Sequence, residues 1–146
     1  NSEIGKRIVN DMDNGNFVSD EIVNMLIKNV LFDPKKKDRL IFDGYPRSLA
    51  QAKNLDTLLK KSNQSINFIF FLNVNKETIL KRIEKRKILE KRSDDNLNTF
   101  IKRYDTYMET TKPILDFYSK NHNFHEIDGS SKIEEITAKI DNFINV

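Results

Sequence analysis

The sequence predicts an α/β fold, with helices packed on a parallel sheet, and three observations carry that reading. Short apolar runs at 39–43, 66–74 and 124–128 alternate with longer stretches of helical periodicity. The run Ile66–Val74 is apolar on both faces, interrupted only by Asn67 and Asn73, as a strand covered on two sides is. Turn residues follow two of the strands, Gly44-Tyr45-Pro46 after the first and Gly129 after the third. Strands separated by helices are joined by crossovers and pair in parallel.

The elements follow in chain order. Residues 2–14 read as a helix: Ser2 can cap it, Ile4, Ile8 and Met12 recur at helical spacing, and Gly15 ends it. Ser19 caps a second helix, with Asp20 and Glu21 at its positive end and Ile22, Val23, Leu26, Ile27 and Val30 along one face. Pro34 and Lys35-Lys36-Lys37 form a solvated break before a short buried strand, Arg39–Asp43. Ser48 caps a helix to about Lys60, and Gln51, three residues on, completes a capping box. After the strand at 66–74, Lys76 to about Lys87 is helical. A long helix follows from about Asp95 to Lys120, with Pro113 as a kink site. Phe124–Asp128 is the third strand, and Ile133–Ile144 a final helix. In open parallel sheets ligands bind beyond the carboxyl ends of the strands. Asp43–Arg47 and Asp128–Ser130 both sit there, which predicts one shared rim.

Composition narrows the class. The chain has 146 residues, 38% hydrophobic and 32% charged, with a net charge of +3. That suits one domain with its own core and is unlike a disordered chain. No Cys is present, which excludes disulfides and thiolate-bound zinc or iron–sulfur clusters and fits a reducing, cytoplasmic setting. No apolar run approaches the ~20 residues of a membrane helix, so no membrane partner is expected. Four scattered glycines (Gly5, Gly15, Gly44 and Gly129) make no G-x-x-x-x-G-K-[ST] phosphate loop.

The arginines are few in a Lys-rich chain, and Arg is the side chain that clamps phosphate with two parallel bonds and never loses its charge. Arg82 and Arg86 share a helix face, Arg92 and Arg103 follow, and Arg47 closes the first strand-end turn. Each has a plainer reading alone: Arg82 and Arg86 as a solvated face, Asp94-Asp95 as an acidic helix start, Gln51 as half of a capping box. Two histidines, His122 and His125, make no metal site by themselves. Tyr104, Tyr107, Phe117 and Tyr118 read as core.

Taken together and in order, these residues resemble the adenylate kinase family. Asp43-Gly44-Tyr45-Pro46-Arg47-Ser48-Leu49-Ala50-Gln51-Ala52 is similar to the D-G-[FY]-P-R-x-x-x-Q-A signature. Arg82-x-x-x-Arg86, then Arg92-x-Asp94-Asp95, then Arg103 is similar to the run through that family's lid. Asn16-Phe17-Val18 and Asp128-Gly129-Ser130-Ser131 match segments beside the AMP and ATP bases. The resemblance spans essentially the whole chain.

The resemblance implies a three-layer nucleoside monophosphate kinase fold of the P-loop type with a parallel sheet, catalysing ATP + AMP = 2 ADP with Mg2+ carried by ATP. It implies that Arg47 binds the AMP phosphate and Gln51 the AMP base. Gly44, Tyr45 and Pro46 would shape that pocket, and Asn16, Phe17 and Val18 would close it. Arg92 and Arg103 would also reach AMP, and Arg86, Arg92 and Arg103 would surround the migrating phosphoryl group. Arg82, Arg86 and Ser131 would contact ATP, Asp43 a magnesium-bound water, and Asp94 and Asp95 the lid hinge. Residues 1–18 would belong to the AMP-binding part, 19–86 and 93–146 to the core, and 87–92 to a short lid. Five residues between Arg86 and Arg92, and the lack of Cys, exclude the zinc-bound long lid; Ile88 and Leu89 depart from the usual Gly and Ser there.

In that family the phosphate loop and the central strand come before the matched region. The chain is therefore expected to be N-terminally truncated, to leave 39–43 unpaired with 66–74, and to transfer no phosphoryl group alone. A monomer acting on nucleotides, without nucleic acid, is expected. The alternatives are a UMP/CMP kinase, disfavoured by Gln51; a basic nucleic-acid-binding module, suggested by the isoelectric point near 9.0 but opposed by the small net charge; and a non-catalytic remnant serving as a scaffold.

Overall fold

The computed structural model describes residues 5, 6, 8–10, 18–37, 39–90, 96–121 and 123–145. Of the helix predicted at 2–14, residues 5, 6 and 8–10 are helical, and the remainder lies outside the described residues.

Helix α1 (Asp20–Leu31) carries Asp20 and Glu21 at its first turn and Lys28 at its last, matching the helix dipole at both ends. Ser19 occupies the N-cap position, but its side chain makes no cap hydrogen bond. Helix α2 (Leu49–Lys61) starts where the sequence places it, because the Ser48 side chain accepts from the Gln51 backbone N–H. Its apolar stripe buries Ala52, Leu55, Leu58 and Leu59.

Two cores share this helix. In one, Leu55, Leu58 and Leu59 pack with Leu31 of α1, flanked by Ile27, Leu40, Phe42, Tyr45 and Ile66. In the other, Ala52 packs with Ile114 and Tyr118, flanked by Ile66, Ile69, Phe117 and Phe124. Ile66 touches both, so α2 and the segment leading into the sheet join them.

Strands β1 (Ile69–Asn73) and β2 (Phe124–Asp128) pair in parallel, with Ile69 opposite Phe124 and Asn73 opposite Asp128. Among the described residues this is the whole sheet. The parallel α/β class is as the sequence predicts. The strand expected at 39–43 is not formed: residues 39–42 alternate Leu40 and Phe42 inward with Ile41 outward, 96% exposed, and no ladder forms. Apolar alternation supplies the inward face, but a strand also needs a neighbour's N–H and C=O groups. It does not pair with 66–74, as expected. Strand β1 is also less covered than its composition predicts, with Phe68 just before it and Leu72 within it exposed.

Helix α3 (Lys76–Glu90) runs on through 87–90, part of the segment expected as a lid. The long helix predicted to Lys120 is three pieces: α4 (Leu97–Thr106), a π-helical turn (Tyr107–Thr111) and α5 (Lys112–Tyr118). Pro113 explains the break. It lacks the N–H that would bond the Glu109 carbonyl, and its ring crowds that carbonyl, so the preceding turn takes one extra residue. The Lys112 N–H accordingly bonds the Tyr107 carbonyl, five residues back. Helix α6 (Ile133–Ile144) closes the chain and packs on β2, where Phe143 stacks on His125 at 4.0 Å between ring centres. Among the described residues, no helix is long and apolar enough to cross a membrane.

Candidate nucleotide-binding site

The turn between Phe42 and α2 is held by hydrogen bonds from three directions. Gly44 takes φ +65°, a left-handed conformation that glycine adopts without steric cost. There its carbonyl accepts from Arg47 Nε at 2.6 Å, folding the guanidinium back over the turn. A side chain at position 44 would meet Arg47 Nη2 at 3.0 Å, so the glycine also makes room for the arginine. The Arg47 N–H donates to Gln51 Oε1 at 2.7 Å. The Arg47 carbonyl accepts from the Thr111 hydroxyl at 2.8 Å, across 64 residues of sequence.

Gln51 is 4% exposed and does more than the capping box predicts. In the usual box the side chain returns to the cap residue's own N–H. Here it reaches one residue further, to Arg47, while its Nε2 donates to Asp20 Oδ1 at 2.6 Å. The Ser48 hydroxyl also donates to Asp20, at 3.4 Å. One carboxylate of α1 therefore pins the start of α2. Tyr45 lies half-buried beside it, its hydroxyl 3.5 Å from the Gln51 carbonyl. Burial foremost holds that phenol above its usual range, opposed by the neighbouring Asn54 side chain and reinforced by the Asp20 charge.

A second group forms at the ends of the two strands. Gly129 is buried directly after β2, and its N–H donates to the Asn73 carbonyl at 2.8 Å. A Cβ at this position would lie 2.6 Å from Val74 Cγ2, so only glycine allows the approach. Arg82, on the second turn of α3, donates from Nη2 to the Gly129 carbonyl at 2.8 Å. Asp128 turns the loop by accepting from the Ser130 N–H at 2.8 Å, and Ser131 reaches its other oxygen at 3.4 Å. Arg82 and the 128–131 loop thus lie past the strand ends as expected, whereas the Asp43–Arg47 half of the expected shared rim follows a segment that forms no strand.

Of the other residues singled out, Asp43 is exposed at the start of the first turn, and Pro46 and Val18 are half-buried. Arg86 is half-buried one turn after Arg82, and Arg103 is half-buried on α4. Asn16, Phe17, Arg92, Asp94 and Asp95 lie outside the described residues. Among the described residues, no three acidic or histidine side chains converge as a metal site. The sequence did not point to Asp20 or Thr111. Asp20 reads there as a helix-dipole residue. Thr111 carries a signal only in hindsight, standing two residues before a proline that breaks the helix.

The family model described as adenylate kinase matches residues 1–123. The chain belongs to the adenylate kinase family. It is 46% identical over 171 aligned residues to the adenylate kinase of Pelagibacter ubique, covering 99% of this chain and 80% of that protein. It is 39% identical to the adenylate kinase of Hyphomonas neptunium, covering 96% of this chain and 74% of the relative. With the adenylate kinase of Thermobifida fusca it shares 35% identity over 94% of its length and 73% of the relative's. These relatives carry the name of a phosphotransferase, and the family's signature turn is the one that Asp20, Gln51 and Thr111 hold here.

Proposed function

We propose that this chain takes part in the reversible reaction ATP + AMP = 2 ADP, with the Gly44–Gln51 turn as the seat of AMP. The observation that carries this is the fixing of Arg47 at its N–H, at its carbonyl and at Nε. A guanidinium on a constrained backbone suits a phosphate, which it meets with charge-assisted bonds. Arg82, Arg86 and Arg103 add charge from α3 and α4. Phosphoryl transfer needs little covalent chemistry from a protein; fixed positive charge around the equatorial oxygens and exclusion of water supply most of the acceleration.

Asp43 offers one exposed carboxylate. That donor set fits Mg2+, which binds through one or two carboxylates, its own waters and nucleotide phosphates. Bound there with ATP, the ion would neutralise phosphate charge; Asp43 would hold one of its waters.

The base is the finer question. The side-chain amide of Gln51 already bonds Arg47 and Asp20. Nε2 carries a second hydrogen and Oε1 a second lone pair, so a base can be read through this amide with both bonds kept or with one exchanged, which makes the comparison with UMP and CMP the informative one. Calorimetric titration of this chain tests both points. AMP is expected to bind more tightly than UMP or CMP, and Arg47→Ala to weaken AMP by tenfold or more, the scale of one or two charge-assisted bonds. An Arg47→Ala chain that binds AMP as its parent does would overturn the assignment.

A further inference from the structure

The threonines of this molecule point to a part of the site that the signature turn does not contain. Thr57, Thr106 and Thr110 each donate their hydroxyl to the carbonyl four residues back in their own helix, at 2.9, 2.8 and 2.7 Å. That is the ordinary local bond of a helical threonine. Thr111 directs its hydroxyl out of its helix instead, to the Arg47 carbonyl at 2.8 Å.

Two features make the contact specific. The Arg47 carbonyl precedes the first acceptor of α2, which is the Ser48 carbonyl bonded by the Ala52 N–H, so the helix offers Arg47 no donor. Thr111 is the last residue of the π turn, where the extra residue forced by Pro113 rotates the chain relative to α4. A continuous α-helix would carry residue 111 at a different angle, about 100° per residue. The irregular turn thus delivers a hydroxyl to the Arg47 carbonyl from 64 residues away. The same helical rod carries Arg103 two turns earlier.

We propose that Thr111 is a positioning residue for Arg47, its hydroxyl fixing the peptide from which the phosphate-binding guanidinium extends and tying that turn to the rod that bears Arg103. The inference rests on the reading of Arg47 as the AMP phosphate ligand. Gln51 holds the N–H side of Arg47 and Thr111 the C=O side; removal of either takes away one restraint on the residue.

The test compares Thr111→Val, which keeps the shape and loses the hydroxyl, with Thr111→Ser, which keeps the hydroxyl. Thr111→Ala takes the place of the valine variant if that chain does not fold. The readouts are the Arg47 carbonyl 13C resonance without ligand, the affinity for AMP, and the melting temperature. The valine variant is expected to shift the Arg47 resonance and weaken AMP about three- to tenfold, the range of one hydrogen bond. The serine variant restores both. A purely structural role would lower the melting temperature and leave the AMP affinity of the folded chain unchanged, which overturns the proposal. So does a serine variant as weak as the valine one, because the hydroxyl is then not the cause. If the parent chain binds no AMP, the assignment of the turn fails, and the resonance shift still reports separately whether the Thr111 bond exists.

Discussion

At the scale of single residues, Tyr118 shows how a buried group can work against the fold that encloses it. It is 7% exposed, packs with Ala52 and Ile114, and its hydroxyl has no hydrogen-bond partner among the described residues. Burial, followed by the charges of Asp56 and Tyr45, pushes its phenol far above the usual range. A folded-state pKa raised above the unfolded value stabilises the fold below about pH 10 relative to higher pH, and that contribution is lost as pH rises beyond it. Tyr118→Phe keeps the ring and removes the unsatisfied donor, whose burial costs roughly 1–3 kcal/mol. The variant is expected to melt a few degrees higher at pH 7 and to lose less stability between pH 9 and 11. A lower melting temperature at pH 7 would mean that the hydroxyl has a partner.

At the scale of elements, helix α2 is the piece that the rest is arranged around, and its start is set by one side chain. Ser48→Ala removes the cap on the Gln51 N–H and the bond to Asp20 together. About 1 kcal/mol of stability is expected to go with it, read as a lower midpoint in urea at unchanged slope. Elements governed by such local signals were legible in the sequence. The N-cap of α2 is where Ser48 predicts it, and α6 spans Ile133–Ile144 as its periodicity predicts. Elements that depend on a partner were legible unevenly: β2 spans Phe124–Asp128 as expected, while β1 is shorter than 66–74. Residues 39–43 have the alternation of a strand, yet pairing is a property of two segments, and the sequence of one cannot supply the other. Pro113 marks where the long helix is disturbed, but a kink, a break and a π turn are all compatible with a missing N–H. The same limit applies to Gln51: its spacing from Ser48 predicts a reciprocal box, and only the fold brings Asp20 within reach to take its amide.

At the scale of the molecule, the described residues bury nine hydrophobic side chains, four of them on α2. A two-stranded sheet is marginal alone, so the protection of this chain should centre on α2 rather than on its strands. Native-state hydrogen exchange is expected to be slowest at the amides around Ala52, Leu55, Leu58 and Leu59, and faster in α6, which buries no residue fully. Exchange slowest in β1 and β2 would contradict that ordering. The family was readable at this scale because its signature is an ordered series of side chains along 146 residues, each ambiguous alone. The geometry of the site was not, since Thr111 and Arg47 are 64 positions apart and nothing in either neighbourhood names the other.

The bond between Gln51 and Asp20 gives base recognition two possible forms. The amide donates one of its two hydrogens to a carboxylate on α1; a ligand that claimed that hydrogen would loosen α1 at the start of α2, and one that took the other would leave the contact intact. In the first case affinity for the base and the docking of α1 would form a single linked equilibrium, in which each weakens the other by the same factor. Hydrogen exchange repeated with AMP would read this directly: faster exchange at the first turn of α1 if the amide changes partner, and unchanged or slower exchange there if adenine takes the second hydrogen or is read by other groups.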